Sequence, residues 1–302
     1  METILTKTLV FLMRMTAWLP LPVVHGVGWG LGWLRYWGSP QDARLLRENL
    51  ESSGICKDKH GLRKTLRRNI GESGKALLET FAIWQRDETT LLSWVKALVH
   101  WEEVENAQAE GKGILFLTPH LGCYEITPIF YAARFPITVL YRAPKKKWLL
   151  PLMQSGRGRS QVKLAMANTH GVRELLRALR HNQAIGILPD QIPAKGEGEW
   201  APFFGRPAYT MTLVSRLAEK TGAPVIMVFG ERLPWGRGFR LHFKRLPNAS
   251  LSTAAGLNAA IEAQVAECPS QYLWSYHRYK VRRRAKPLEG YATPEDETGD
   301  AQ

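Results

Sequence analysis

A histidine and a glutamate lie five residues apart in the segment Thr118-Pro-His-Leu-Gly-Cys-Tyr-Glu125. The segment follows a short apolar run, so His120 is expected just beyond the end of a buried strand, with Glu125 at the start of a helix. The carboxylate can then reach one imidazole nitrogen, while the other nitrogen takes a proton from a hydroxyl group. This pattern predicts base catalysis on a hydroxyl that belongs to the substrate, without a nucleophile from the protein.

The spacing alone is not specific, because His100 and Glu105 repeat it in a stretch whose pattern predicts a solvated amphipathic helix. His120 instead lies where a proline and a glycine shape the turn from strand to helix, and open α/β sheets place their sites at such strand ends. The alternative is that His120 is a turn or core histidine unrelated to Glu125. Cys123, within the same motif, is a weaker candidate for a nucleophile.

Short apolar runs alternate with helical stretches from residue 111 onward. Strands are predicted over residues 113–118, 137–141, 184–188, 224–229 and 239–243, and helices over residues 124–134, 172–180, 210–220 and 257–266. This alternation predicts the α/β class, with helices on both faces of a sheet. Asp190 and Gln191 end the third predicted strand. If the strands are parallel, both residues lie at the sheet edge of His120, where the carboxylate orients an arginine or a hydroxyl, or caps a turn.

The N-terminal segment, residues 1–38, differs from the rest of the chain, because 20 residues between Arg14 and Arg35 carry no formal charge. Pro20 and Pro22 are expected to interrupt a helix there, and the glycines that follow weaken it. Tryptophans at positions 29, 33 and 37 favour a helix that lies in the headgroup region of a membrane. A single membrane span and ordinary buried helices are the two alternatives.

The composition indicates a folded protein with an acidic partner, because 302 residues carry a formal charge of +14 and 45% are hydrophobic. Residues 39–110 are predicted to form a helical region, residues 111–286 the α/β core and residues 287–302 a flexible tail. Three scattered cysteines predict neither disulfides nor a structural metal. Residues 278–286 are strongly basic, which favours either a solvated face or contact with anionic lipid or an acidic protein.

Two other classes of protein are alternatives to an enzyme. A nucleic-acid-binding protein would need a recognition helix, a zinc module or a stacking sheet, and the sequence contains none of these signals. A membrane scaffold without catalysis would tolerate the loss of His120, which an enzyme of the predicted kind would not.

Six short motifs resemble, in the same order, those of the lipid A biosynthesis acyltransferases, the late lauroyl/myristoyl transferases of Gram-negative bacteria. They are the His120/Glu125 segment, Tyr141-Arg142, Gly156-Arg-Gly-Arg-Ser160, Leu188-Pro-Asp-Gln191, Phe203-Phe-Gly205 with Thr210, and Gln271-Tyr-Leu-Trp-Ser-Tyr-His-Arg-Tyr-Lys280. Each motif is weak alone, but six in order across nearly the whole chain are specific. Ala143, where the family more usually has proline, departs from the pattern, as does the Gly- and charge-rich stretch 192–199.

The resemblance implies a glycerolphosphate-acyltransferase-like mixed sheet flanked by helices, with an N-terminal membrane-associated helical segment. It implies transfer of a fatty acyl chain from acyl carrier protein to a hydroxyl of a lipid A precursor, on the cytoplasmic face of the inner membrane. A different glycolipid or a phospholipid is the alternative acceptor. No cofactor, metal or nucleic acid is implied.

The resemblance also suggests roles for individual residues. His120 is implied as the general base and Glu125 as its partner. Arg157, or alternatively Arg159, is implied to bind a phosphate or the developing oxyanion. Residues predicted to contact the substrate are Asp190, Gln191, Phe204 and Gly205; the adjacent phenylalanines either line an acyl groove or belong to the core.

Overall fold

The computed structural model describes residues 10–11, 13–144 and 146–280. Helices precede the sheet, and their first turns carry the expected capping residues. Pro22 lies in the first turn of the first helix, Ser39 accepts a hydrogen bond from the Asp42 amide, and Asp58 accepts one from the Gly61 amide. From Leu21 onward, the helices before the sheet are α1 (Leu21–Gly38), α2 (Pro40–Ser52), α3 (Lys59–Gln85) and α4 (Glu88–Trp94).

Helices α1 and α3 cross with their backbones in direct contact. A Cβ atom added to Gly32 would lie 2.1 Å from the Ile70 carbonyl oxygen, and one added to Gly74 would lie 2.0 Å from the Gly28 carbonyl oxygen. The glycines that the sequence marks as weakening α1 therefore have a packing role, because no larger residue fits at the crossing.

The sheet begins where the predicted helical region was expected to continue. Residues 95–99 form a strand, and the elements that follow alternate strand with helix over most of the chain. The strands are β1 (Val95–Val99), β2 (Ile114–Leu117), β3 (Ile137–Tyr141), β4 (Val162–Met166), β5 (Ala184–Ile187), β6 (Gly198–Phe203), β7 (Arg206–Met211), β8 (Val225–Arg232) and β9 (Phe239–Leu246). The helices are α5 (Glu102–Ala109), α6 (Ile126–Ala132), α7 (Leu150–Arg157), α8 (Thr169–Arg180), α9 (Leu213–Thr221) and α10 (Ala254–Glu267).

Within the described residues, seven strands form one mixed sheet in the order β1-β9-β8-β2-β5-β3-β4. Strands β8, β2, β5, β3 and β4 are parallel to one another, whereas β9 and β1 run in the opposite direction. Strands β2 and β5 are buried at every position, as expected for central strands covered on both faces. The predicted α/β class with a mixed sheet flanked by helices is confirmed.

A separate hairpin of β6 and β7 corrects one predicted helix. Residues 206–211 pair with β6, so the helix predicted over 210–220 begins only at Leu213. The Thr210 hydroxyl lies in this strand, 3.1 Å from the Asn258 side-chain oxygen in α10. Strand pairing and this buried contact outweigh the local helical pattern.

Helix α1 has two different faces. Leu21, Val24, His25, Gly28 and Gly32 are buried, and most of the other face is apolar yet exposed. Exposed large apolar residues in α1 include Val23, Val27, Leu31, Leu34 and Trp37. None of the described helices combines the length and the hydropathy that a membrane crossing requires.

Candidate active site

His120 and Asp190 meet because their strands are neighbours. Strand β2 ends three residues before His120, β5 ends three residues before Asp190, and the two strands are paired in parallel. Their carboxyl ends therefore lie at one edge of the sheet, as predicted. Histidine 100 follows β1, which runs in the opposite direction, and its side chain is exposed beside Glu102. The second His/Glu pair is thus placed at the other edge of the sheet.

Asp190 makes two hydrogen bonds to His120, one to the imidazole and one to the main chain. Its Oδ1 atom lies 2.9 Å from His120 Nδ1, and its Oδ2 atom accepts a bond of 2.9 Å from the His120 main-chain amide. Burial raises the pKa of Asp190, but the adjacent His120 lowers it more, so the net shift is downward. A carboxylate at Nδ1 keeps the proton on that nitrogen, which leaves Nε2 as the proton acceptor. Nε2 lies 3.5 Å from the side-chain nitrogen of Gln191.

Glu125 does not pair with His120 as predicted. Its carboxylate is hydrogen-bonded to two other residues instead. Arg157 donates from Nε at 2.8 Å and also from Nη2, and Trp84 donates from Nε1 at 3.1 Å. Burial alone would lower the pKa of Arg157, but the Glu125 carboxylate raises it above its usual value. Asp190, rather than Glu125, is thus the carboxylate that orients the imidazole. The reason is that adjacent parallel strands bring Asp190 to Nδ1, while α7 places Arg157 beside Glu125.

Arg159 is held away from the site by main-chain carbonyls. Its guanidinium donates to the carbonyl oxygens of Gly156, Arg86 and Trp84. Between the two arginines that the sequence left open, only Arg157 lines the cavity beside His120. The contacts of Arg159 instead tie the end of α7 to the end of α3.

Cys123 is buried, and burial raises the pKa of its thiol well above the usual value. A thiol in this state is a poor nucleophile. The structure therefore agrees with the expectation that the chemistry of the motif does not depend on Cys123.

The loop that carries His120 is bonded through its main chain to several elements. The His120 carbonyl accepts from the Leu273 amide at 3.0 Å, the Gly122 amide donates to the Gln271 carbonyl at 3.0 Å, and the Cys123 amide donates to the Gly230 carbonyl at 2.7 Å. Gly122 has φ +59, and a Cβ there would lie 2.1 Å from the Gly230 carbonyl oxygen. Only glycine fits this turn.

A buried ion cluster completes this support. Arg232 donates from Nη2 to the Gly122 carbonyl at 2.8 Å, and its Nε lies 2.9 Å from a carboxylate oxygen of Glu79. The other Glu79 oxygen lies 3.0 Å from His25 Nε2 in α1. Burial raises the pKa of Glu79, but Arg232 and His25 lower it more, to about 2. The cluster links α1 and α3 to the loop that carries His120. It was not predicted from the sequence, although Glu79 in the apolar stripe of α3 is a signal that could have indicated it.

The segment 271–280 packs against the site. Tyr276 stacks on the His120 ring with centroids 6.1 Å apart, and its hydroxyl accepts from the Ile192 amide at 3.1 Å. Arg278, predicted to belong to an exposed basic cluster, is buried, and it donates to the Thr210 hydroxyl at 2.7 Å. The rest of that predicted cluster after Lys280, and the predicted tail, lie outside the described residues.

Phe204 and Gly205 form the turn between β6 and β7. Both have positive φ, +47 and +73, as a tight two-residue hairpin turn requires. The Phe204 ring contacts Trp274, and its amide donates to Glu262. Neither residue lines the cavity that contains His120. The structure therefore does not bring these two predicted substrate-binding residues to the site.

Two adjoining cavities open at this edge of the sheet. The larger, about 590 Å³, contains His120, Gln191 and Arg157, and three further cations line it, namely Arg142, Arg216 and Lys220. The second is narrow and apolar, and it runs between the sheet and α6; its walls include Phe116, Ile129, Tyr131, Val139, Gly186 and Phe243. Residues that line both cavities are Tyr124, Arg157, Ile187 and Leu188. An oriented base therefore lies where a polar cavity meets an apolar one.

The fold and the site define an α/β protein with a His/Asp pair at the carboxyl ends of two parallel strands, close to an apolar cavity. Residues 2–281 match the family model described as bacterial lipid A biosynthesis acyltransferase, and the chain belongs to this family. It is 26% identical over 277 residues to the lipid A biosynthesis lauroyltransferase of Escherichia coli (strain K12), covering 89% of each chain. It is 27% identical over 277 residues to the palmitoleoyltransferase of the same strain, covering 87% of each chain. The protein is an acyltransferase.

Proposed function

We propose that the protein transfers a fatty acyl chain from acyl carrier protein to a hydroxyl of a lipid A precursor. The observation that carries this proposal is the His120–Asp190 pair, in which Asp190 engages Nδ1 and the ring lines a cavity with both apolar and cationic residues; Nε2 lies 3.5 Å from the Gln191 side-chain nitrogen. Family membership supports the lipid A precursor as acceptor. An acidic carrier protein is a suitable donor for a chain with a formal charge of +14.

The reaction follows from the position of the base. His120 Nε2 takes the proton of the acceptor hydroxyl as its oxygen attacks the thioester carbonyl. The tetrahedral oxyanion then collapses, the carbon–sulfur bond breaks, and the leaving thiolate takes the proton from the imidazolium. One ester bond forms, one thioester bond breaks, and no acyl-enzyme is needed. Asp190 stabilises the imidazolium between the two proton transfers.

Arg157 is the candidate for oxyanion stabilisation. Its Nε and Nη2 atoms are bonded to Glu125, which fixes the guanidinium plane, and the ring of Trp84 lies 5.4 Å from its central carbon. Its Nη1 atom makes no hydrogen bond to any of the described residues, and Arg157 lines both cavities. A fixed donor at this point can meet charge that develops only in the transition state. In this role Glu125 acts through Arg157 and not directly on His120.

The apolar cavity is proposed to take part of the acyl chain, because its volume of about 40 Å³ is too small for a whole chain unless its walls move. Its walls are mainly the aliphatic and aromatic side chains of the sheet and of α6, and Arg157 and Tyr124 join it to the cavity of His120. Gly186 leaves room in the middle of β5, because a Cβ added there would lie 3.4 Å from a methyl group of Val139. The thioester carbonyl itself would lie in the larger cavity, which His120 lines.

Transfer of a radiolabelled acyl group is the direct test. Wild-type protein in detergent micelles is expected to move label from acyl carrier protein to a tetra-acylated, phosphorylated disaccharide precursor. Label on a phospholipid or on another glycolipid alone would favour the alternative acceptor. Absence of transfer to any lipid hydroxyl by folded protein would reject the proposed reaction.

We also propose that the exposed face of α1 attaches the protein to the inner membrane, with the core on the cytoplasmic side, where a carrier-protein donor would be available. The support is the row of exposed apolar side chains, including Leu34 at 64% and Trp37 at 70% exposure. Trp235, 87% exposed, follows β8 in a turn whose Gly236 contacts Pro22 of α1. Apolar side chains on one helix face, with tryptophan among them, are typical of helices that lie in a membrane interface.

Leu34→Gln with Trp37→Gln is expected to reduce partition of the full chain into vesicles containing anionic lipid by about tenfold or more, because apolar burial is lost. Flotation or sedimentation with vesicles measures the partition. Leu98→Gln with Phe135→Gln is the matched control, since both side chains are exposed and apolar but lie outside α1. Equal partition of both double variants would show that α1 is not the attachment surface.

A further inference from the structure

Three cations lie on one wall of the larger cavity. Arg142 follows β3, and Arg216 and Lys220 lie one turn apart on α9. All three side chains are exposed, and they face a cavity that also contains His120. The family resemblance implies that Arg157 or Arg159 binds either a phosphate or the developing oxyanion. The structure shows that both of those guanidiniums are already engaged by protein groups.

The three cations have no ionic partner in residues 10–11, 13–144 and 146–280. Arg142 donates to the Ile192 carbonyl at 2.8 Å, and Arg216 donates to the Thr212 carbonyl at 3.4 Å, but neither they nor Lys220 form a salt bridge there. The carboxylate that lines the same cavity, Glu197, accepts from the Ala194 amide. Glu197 keeps its negative charge, because its partner is a neutral amide, so among the described residues three cations without a salt bridge share this cavity with one carboxylate.

Repulsion among these cations is unfavourable, and a bound anion would reduce it. Like charges four residues apart on a helix, such as Arg216 and Lys220, repel each other and destabilise the helix. Asn168 and Thr169, at the positive end of α8, line the same cavity. An anionic group between α8, α9 and Arg142 would neutralise these contributions together, and the guanidiniums offer paired donors to phosphate oxygens.

We infer that Arg142, Arg216 and Lys220 form a binding site for a phosphate ester of the substrate. The inference rests on the proposed function and adds the group that the cavity recognises. Two substrates can supply the same chemistry: the acceptor carries a sugar phosphate, and the donor carries the phosphodiester that joins pantetheine to its carrier protein. In either case, binding of the phosphate to these three cations fixes the position of the substrate relative to His120.

The decisive variant is Arg216→Gln with Lys220→Gln, which removes two charges from α9. Its matched control is Arg173→Gln with Arg177→Gln, an exposed pair with the same spacing on α8 that does not line the cavity. Rates are measured with the phosphorylated disaccharide acceptor and the same acceptor after phosphatase treatment. A second series uses acyl-phosphopantetheine and acyl-pantetheine as donors.

The α9 variant is expected to raise KM about tenfold to a hundredfold for one phosphorylated substrate, because charge-assisted hydrogen bonds are lost. The corresponding dephosphorylated substrate should show the same KM with wild type, control and variant. An effect confined to the acceptor series assigns the site to the sugar phosphate, and one confined to the donor series assigns it to phosphopantetheine. If the variant still distinguishes phosphorylated from dephosphorylated forms as well as wild type does in both series, the inference is overturned.

Equilibrium binding of the same compounds, measured by calorimetry without turnover, separates this inference from the proposed function. Phosphate-dependent binding that the α9 variant loses, in a wild-type protein that transfers no acyl group, would reject the reaction and retain the site. Transfer with phosphate-independent binding by wild type would retain the reaction and reject the site.

Discussion

His120→Gln is expected to lower kcat for acyl transfer by about 10²- to 10⁴-fold, because the amide cannot take the proton from the acceptor hydroxyl. The acceptor KM and the melting temperature should change little, since the ring is partly exposed in the cavity and the loop is held by main-chain bonds. Steady-state kinetics with saturating donor measure the loss. His170→Gln, an exposed histidine in α8, should retain wild-type kcat. Turnover by His120→Gln within tenfold of wild type would contradict general base catalysis by this residue.

Asp190→Asn distinguishes the observed partner of His120 from the predicted one. The amide can offer an N–H group to Nδ1, which moves the ring proton to Nε2 and removes the proton acceptor. We therefore expect kcat to fall by roughly 10²-fold or more with folding retained. If Glu125 oriented the imidazole instead, Asp190→Asn would keep most of the activity and Glu125→Gln would lose kcat without any change at Arg157.

Glu79→Gln is expected to lower the free energy of unfolding by about 3 kcal/mol at neutral pH, because buried Arg232 loses its hydrogen-bonded counter-charge and keeps only Glu72, 3.5 Å away. Denaturant unfolding followed by tryptophan fluorescence measures the change. Glu48→Gln is the matched control: its salt bridge with Arg44 is exposed, and its loss should cost less than about 1 kcal/mol. A similar small cost for Glu79→Gln would show that the buried cluster does not stabilise the fold.

The pH dependence of this effect has a definite sign. The folded-state pKa of Glu79 is lowered from 4.5 to about 2, so its contribution is complete above 4.5 and is lost as the pH falls towards 2. The difference in unfolding free energy between wild type and Glu79→Gln should therefore narrow below about pH 4.5. A difference that stays constant down to pH 2 would contradict the lowered pKa.

The central strands were predictable from the sequence, and the edge strands were not. Strand β3 has the predicted bounds, β2 is one residue shorter than predicted at each end, and β5 is one residue shorter at its carboxyl end. The agreement is close because strands buried on both faces are continuous apolar runs. Strands β1 and β4 are the outermost strands of the sheet, and each carries an exposed lysine, Lys96 in β1 and Lys163 in β4. Their five-residue patterns are too short and too polar to be separated from helix or loop.

The site was predictable as a location but not as a set of contacts. The position of His120 after β2 and of Asp190 after β5 followed from the apolar runs. The pairing of His120 with Asp190, and of Glu125 with Arg157, depends on which strands are adjacent and on where α7 ends. The spacing within the motif favoured Glu125 as the partner of His120. Asp190 is 70 positions away in sequence, so the spacing of one segment could not indicate it.

The main-chain hydrogen bonds of the His120 loop determine how substitutions near the loop should affect stability and turnover. The amide and carbonyl of His120 and of Gly122, with the Cys123 amide, all have protein partners before any substrate arrives. The conformational entropy of ordering this loop is therefore lost during folding and not in each catalytic cycle. Substitutions in the supporting residues should accordingly be detected first as a lower melting temperature, while the surviving folded molecules keep a preorganised base and nearly normal turnover.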